Sequence, residues 1–168
     1  MRDIHFTDVQ QASAEVFQTG THLILLYANK KPPHLALLSN GRYFSVSVKG
    51  VQIENASLIQ QLIDKKKIPT LFIELELEMN ESILNSIFDK STLNQATCIR
   101  PIRETLSHQS GKEEYLRAGT IFELYEILEN QSAIGMIRQK YLLTDGEVEF
   151  TLPFYTREEV EAYIRGLK

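Results

Sequence analysis

Apolar residues recur at three- and four-residue spacing in six places along the chain, and each predicts an amphipathic helix. These are Val9 to Phe17, Leu58/Ile59/Leu62/Ile63, Ile83/Leu84/Ile87/Phe88, Ile99/Ile102/Leu106, Ile121 to Leu128, and Val160/Tyr163/Ile164/Leu167. Between them lie runs rich in β-branched, aromatic and aliphatic residues that predict strands: His22 to Ala28, His34 to Ser39, Arg42 to Lys49, Thr70 to Glu78, Ile134 to Leu143 and Val148 to Leu152. Thr120 followed by Glu123, and Thr156 followed by Glu159, read as capping boxes. Asn40-Gly41 and Asp145-Gly146 tolerate positive φ and read as two-residue hairpin turns. Strands and helices do not alternate regularly, so the pattern predicts an α+β fold with an antiparallel sheet flanked by helices. No linker or internal repeat breaks the chain, and residues 1–168 read as one domain.

The first hairpin can be read residue by residue. A two-residue loop at Asn40 and Gly41 pairs Ser39 with Arg42, and hence Ala36 with Ser45 and His34 with Ser47. Leu35, Leu37, Phe44, Val46 and Val48 then share a core face. His34, Ala36, Leu38, Tyr43, Ser45 and Ser47 share the other, and its small polar side chains leave room over Ala36 for another element.

Composition changes this picture little. Hydrophobic residues make up 43% of the chain, charged residues 24%, and the net charge is −4. These values suit an ordinary globular protein and argue against a nucleic-acid partner, since no basic stripe with aromatics appears. Lys65-Lys66-Lys67 reads as the cationic end of a helix. The first residues lack the apolar run of a secretory signal, and the longest apolar run, Leu23 to Ala28, is far too short to span a bilayer. With a single cysteine as well, a cytoplasmic location is expected. Glu74, Glu76 and Glu78 line one strand face and read as solvated. His5, His22 and His108 have no metal-ligand spacing, and no phosphate loop or dinucleotide fingerprint occurs, so neither metal nor cofactor is expected.

What remains as chemistry is Cys98, the only cysteine. Proline is tolerated in a first helical turn but not in an interior, so Pro101 places the helix start at or just before Cys98. Unpaired amides and the dipole there lower a thiol pKa.

The segments Thr19-Gly20-Thr21-His22-Leu23-Ile24-Leu25-Leu26, Pro33-His34-Leu35-Ala36-Leu37, Gly41-Arg42-Tyr43-Phe44-Ser45-Val46 and Lys49-Gly50-Val51 form a series. Cys98-Ile99-Arg100-Pro101-Ile102 and Ala118-Gly119-Thr120-Ile121-Phe122-Glu123-Leu124-Tyr125 extend it. The series resembles the circularly permuted branch of the NlpC-type papain-like cysteine peptidases over roughly residues 19 to 128. The resemblance implies a papain-like fold in permuted order, with the histidine hairpin before the cysteine helix. It also implies Cys98 as nucleophile, His34 as base and Ser45 at the orienting position. The activity implied is that of an amidase, peptidase, acyl hydrolase or acyltransferase on a peptide, amide or acyl substrate. Ser45 stands where the family carries Glu, His, Asn or Gln, so a non-catalytic binding module on the same scaffold is the alternative. The dyad reading expects the cysteine helix on the Ala36 face, the sulfur within roughly 3–5 Å of a His34 ring nitrogen, and the other nitrogen facing Ser45 or Ser47.

Overall fold

A computed structural model describes residues 2–91 and 97–167. Its centre is a seven-stranded sheet in the order β2-β8-β7-β3-β4-β5-β6. The strands are β2 (Gln10–Gln11), β3 (Thr21–Leu26), β4 (His34–Ser39), β5 (Arg42–Ser47), β6 (Gly50–Asn55), β7 (Thr70–Leu75) and β8 (Ile134–Lys140). All neighbours are antiparallel except β2 with β8, so the sheet is mixed and not purely antiparallel. A separate ribbon joins β1 (Ile4–Phe6) to β9 (Phe150–Leu152).

Both sheet faces are covered, which explains why β3, β4 and β7 are apolar without alternation. Leu23, Leu25, Leu35, Leu37, Phe44, Val46, Leu71 and Ile73 face one core. Helices α2 (Glu81–Asp89), α3 (Ile99–Ser110) and α4 (Ile121–Asn130) cover it through Leu84, Phe88, Ile99, Ile102, Leu106, Leu124 and Leu128. Ile24, Leu26, Ala36, Leu38, Tyr43 and Phe72 face the other, beneath α1 (Ala56–Lys66) and a 3-10 turn at Ala14–Phe17. The last helix is α5 (Arg157–Gly166).

The Asn40-Gly41 turn has φ of 45° and 85°, as a primed two-residue turn requires. Four expectations give way to other structure. Residues 9–17 form β2 and the 3-10 turn instead of a helix: the Ala12 amide bonds the Gln139 carbonyl, and the Ser13 hydroxyl accepts from the Glu15 amide. Asp145-Gly146 makes no hairpin. The Glu147 amide bonds the Thr144 carbonyl, only Gly146 has positive φ, and β9 pairs with β1. Val48 is 38% exposed because β5 stops at Ser47. Finally Gly50–Asn55, where no strand is expected, forms β6 at one sheet edge.

Strand β6 runs parallel to β7, so α1 is the crossover of a β-α-β unit spanning β5, β4 and β3. Such crossovers are right-handed in nearly all proteins, and the position of β6 therefore decides which face α1 occupies. Asn55 starts α1 by accepting from the Ser57 amide, and Lys67 ends it in the left-handed region, with Lys65 and Lys66 in the last turn. Thr156 and Glu159 form the full reciprocal capping box of α5. Thr120 accepts from the Glu123 amide at 3.5 Å, but Glu123 returns only to the Thr120 hydroxyl.

Candidate active site

Cys98 is the N-cap of α3, with helical φ and ψ and no side-chain cap bond, and Pro101 sits in the first turn as expected. The face is not the expected one. Helix α3 packs through Ile99, Ile102 and Leu106 against Leu35, Leu37, Phe44 and Val46, while α1 has taken the room over Ala36. Cys98 nevertheless meets the start of β4. The backbone amides of Leu35, Cys98 and Ile99 favour negative charge on its sulfur. Strands β4 and β5 are paired only from Leu37/Phe44 to Ser39/Arg42. Hairpin alternation directs the Leu35 N–H toward β5, where pairing has already ended, and that amide is among those that favour charge on the sulfur.

His34, covalently joined to that same Leu35 amide, lines one cleft with Cys98. The cleft has a volume of about 160 Å³, and its walls include Pro33, Val46, Val48, Ile121, Tyr155 and, from α5, Val160 and Ile164. No Lys, Arg, Asp or Glu is among its described lining residues. His34 also borders a second cavity behind the hairpin, beside Tyr43, Ser45, Ser47 and Gln52. Among the described residues the His34 ring has no hydrogen-bond partner, neither the cysteine nor a serine. Ser45 is 2% exposed and lies two residues from Tyr43 on the same strand face. Ser47 accepts from the Lys49 amide at 3.2 Å. The structure thus brings Cys98 and His34 to one cleft, and among the described residues no hydrogen bond joins Ser45 to the His34 ring.

Burial dominates the electrostatics. It pushes the Cys98 thiol above its ordinary range, and the three amides only partly oppose it, so the expected depression by the helix end is overturned. Burial also lowers the pKa of His34 and raises that of Tyr43 to about 12. At neutral pH the pair is therefore a neutral thiol beside a neutral imidazole. Iodoacetamide should label Cys98 slowly near neutrality, and the rate should keep climbing past the ordinary thiol range of about 8.5. Mass spectrometry across pH checks this, and a fast plateau near pH ~6 would refute it.

His22 is buried and its pKa is likewise lowered, chiefly by desolvation and against the pull of Glu74. The unfolded chain takes up these protons near pH ~6.5, before the folded protein does. Between the two values the unfolded state binds more protons, so stability present above ~6.5 is lost as pH falls. Melting temperatures recorded from pH ~7.5 down to ~5.5 should decline, less steeply in His34→Gln; flat curves would contradict the burial of both rings.

Sequence reading missed three contributors to the cleft: Tyr155, the inner face of α5, and Gly119. The Arg157 guanidinium lies over Gly119 where any side chain would stand, reaching toward the Arg117 carbonyl at 3.4 Å. With the Lys31–Glu159 pair at 3.4 Å it tethers α5 beside the cleft. The apolar spacing of α5 was visible in sequence, but nothing there indicated what it covers. Among the described residues no three His, Cys, Asp or Glu side chains group as a metal site, and no helix is long and apolar enough to cross a membrane. Comparison with protein-family models, curated proteins and solved structures finds no match to this chain.

Proposed function

We propose that the protein is a papain-like cysteine hydrolase or acyltransferase acting on uncharged, apolar acyl groups, with Cys98 as nucleophile and His34 as base. The observation that carries this reading is the shared cleft: Cys98 and His34 line it together, the Leu35 amide adjoining His34 favours charge on the sulfur, and none of the described lining residues is charged. A charged acyl group entering it would be desolvated without a partner.

Because both groups are neutral at rest, the thiol proton passes to His34 as the sulfur attacks the acyl carbon. The carbonyl electron pair moves onto oxygen, and the amides of Cys98 and Leu35 are the nearest donors for that oxyanion. Collapse expels the leaving group, which takes the proton from the imidazolium and leaves a thioester on Cys98. Water or an acceptor, deprotonated by His34, then releases the acyl group.

Incubation with p-nitrophenyl butyrate, quenching and intact mass spectrometry tests this. One butyryl group should appear on Cys98, should be absent in Cys98→Ala, and should form far more slowly from the charged succinyl monoester. No adduct at any pH would remove the hydrolase. A second reading, a non-catalytic module that binds an apolar group in the same cleft, is favoured by the lack, among the described residues, of any hydrogen bond that orients the His34 ring. It predicts saturable binding of the butyrate ester without an adduct.

A further inference from the structure

A third cavity lies across the sheet from Cys98, between the 3-10 turn at Ala14–Phe17 and the start of β3. Its volume is about 280 Å³, and its lining includes Glu15, Thr21, His22, Glu74 and Arg138. His22 is 4% exposed, yet among the described residues neither ring nitrogen has a hydrogen-bond partner. Buried polar groups are nearly always hydrogen-bonded, so a ring with two unpaired nitrogens calls for an explanation. Backbone packing does not force it: His22 stands opposite Glu74 on β7, at the open end of the sheet face that holds Ile24 and Leu26.

The surrounding charges select the ligand. Arg138 Nη1 donates to Glu74 Oε2 at 2.9 Å, and Nη2 donates to Met136 Sδ at 3.3 Å, so the guanidinium is already engaged. Glu74 Oε1 makes no further bond among the described residues, and the Glu15 carboxylate has no ion-pair partner among them. Two carboxylates against one guanidinium leave the cavity net negative, which disfavours an anion. A neutral imidazole presents an acceptor nitrogen, which suits an N–H donor. His22, Glu74 and Glu15 line the cavity but do not come together as a metal site, and no other such group of three exists among the described residues. The Glu74 carboxylate occupies space that only a glycine leaves open, since a Cβ added at Gly135 would stand 2.9 Å from Oε1.

We propose that this cavity binds a small protonated amine, its N–H groups shared between His22 and the Glu74 carboxylate, with Glu15 at the rim. The site is independent of the cysteine cleft and of its chemistry.

The test uses the full chain labelled with [13C]histidine, with the His22 ring resonance assigned by His22→Gln. Methylammonium chloride is titrated near neutral pH at constant ionic strength. Tetramethylammonium, which has the charge but no N–H, and sodium acetate serve as controls. A saturable His22 shift with methylammonium alone is expected. Glu74→Gln should weaken binding about tenfold, as loss of a charge-assisted bond does. Glu15→Gln should weaken it less, and Gly135→Ala, which displaces the Glu74 carboxylate without removing it, should also weaken it. If Glu74→Gln fails to fold, the Glu15 and Gly135 variants decide alone. A shift that does not saturate, one that either control reproduces, or one unchanged in the variants overturns the proposal and leaves a cavity holding water only.

Discussion

Replacing His34 by Gln should slow acylation of Cys98 by p-nitrophenyl butyrate about 10²–10⁴-fold, the usual worth of a positioned general base. The reason is specific to this cleft. A thiol whose pKa burial has raised supplies almost no thiolate at neutral pH, so a base must remove the proton during attack. The deficit should shrink as pH rises toward the thiol pKa, where hydroxide in solution does the same work. Stopped-flow release of p-nitrophenol from both proteins between pH ~6 and ~10 measures it. A deficit constant across pH would mean that His34 shapes the cleft without moving a proton.

The second large effect concerns the hairpin that carries the site. Phe44 is fully buried, stands opposite Leu37 and packs on Phe88 of α2 with ring centroids 5.6 Å apart. Phe44→Ala should cost about 3–5 kcal/mol, the range for truncating a buried aromatic. Small proteins have only about 5–15 kcal/mol to lose, so the variant should unfold at a much lower denaturant midpoint. Phe44→Leu, which keeps most of the volume, should lose far less. Urea titrations of the three proteins give the comparison. A cost under ~1 kcal/mol for alanine would mean that α2 is not anchored on β5.

The sequence made the local pieces of this site readable but left their assembly open. Pro101 located the start of α3, and Asn40-Gly41 set the register of the first hairpin, because each follows from backbone sterics within a few residues. Which face α3 would cover was another matter. Ile24 and Leu25, or Ala36 and Leu37, are equally apolar neighbours on opposite faces, so nothing in β3 or β4 distinguishes them. The choice rests on β6, a polar edge strand of Gly50–Asn55 whose single inward aliphatic, Ile53, gives little signal. Once β6 is missed, the crossover helix α1 has no assigned side, and Ala36 looks free. Residues 9–17 failed for the opposite reason. Val9, Ala12, Val16 and Phe17 have helical spacing, yet Val9 enters one core and the other three enter the second. Glu74 was read as solvated because its partner, Arg138, lies 64 positions away.

The ribbon of β1 with β9, and the pairing of β2 with β8, join positions 4–11 to positions 138–152. During synthesis the first eleven residues therefore have no partner until most of the chain has emerged, and Ile4, Phe6 and Val9 stay exposed meanwhile. Pairings so distant in sequence slow folding, because the loop entropy must be lost before any contact compensates it. Refolding should thus be limited by closure of this ribbon, with the β3-β4-β5 hairpins, joined by short turns, already in place.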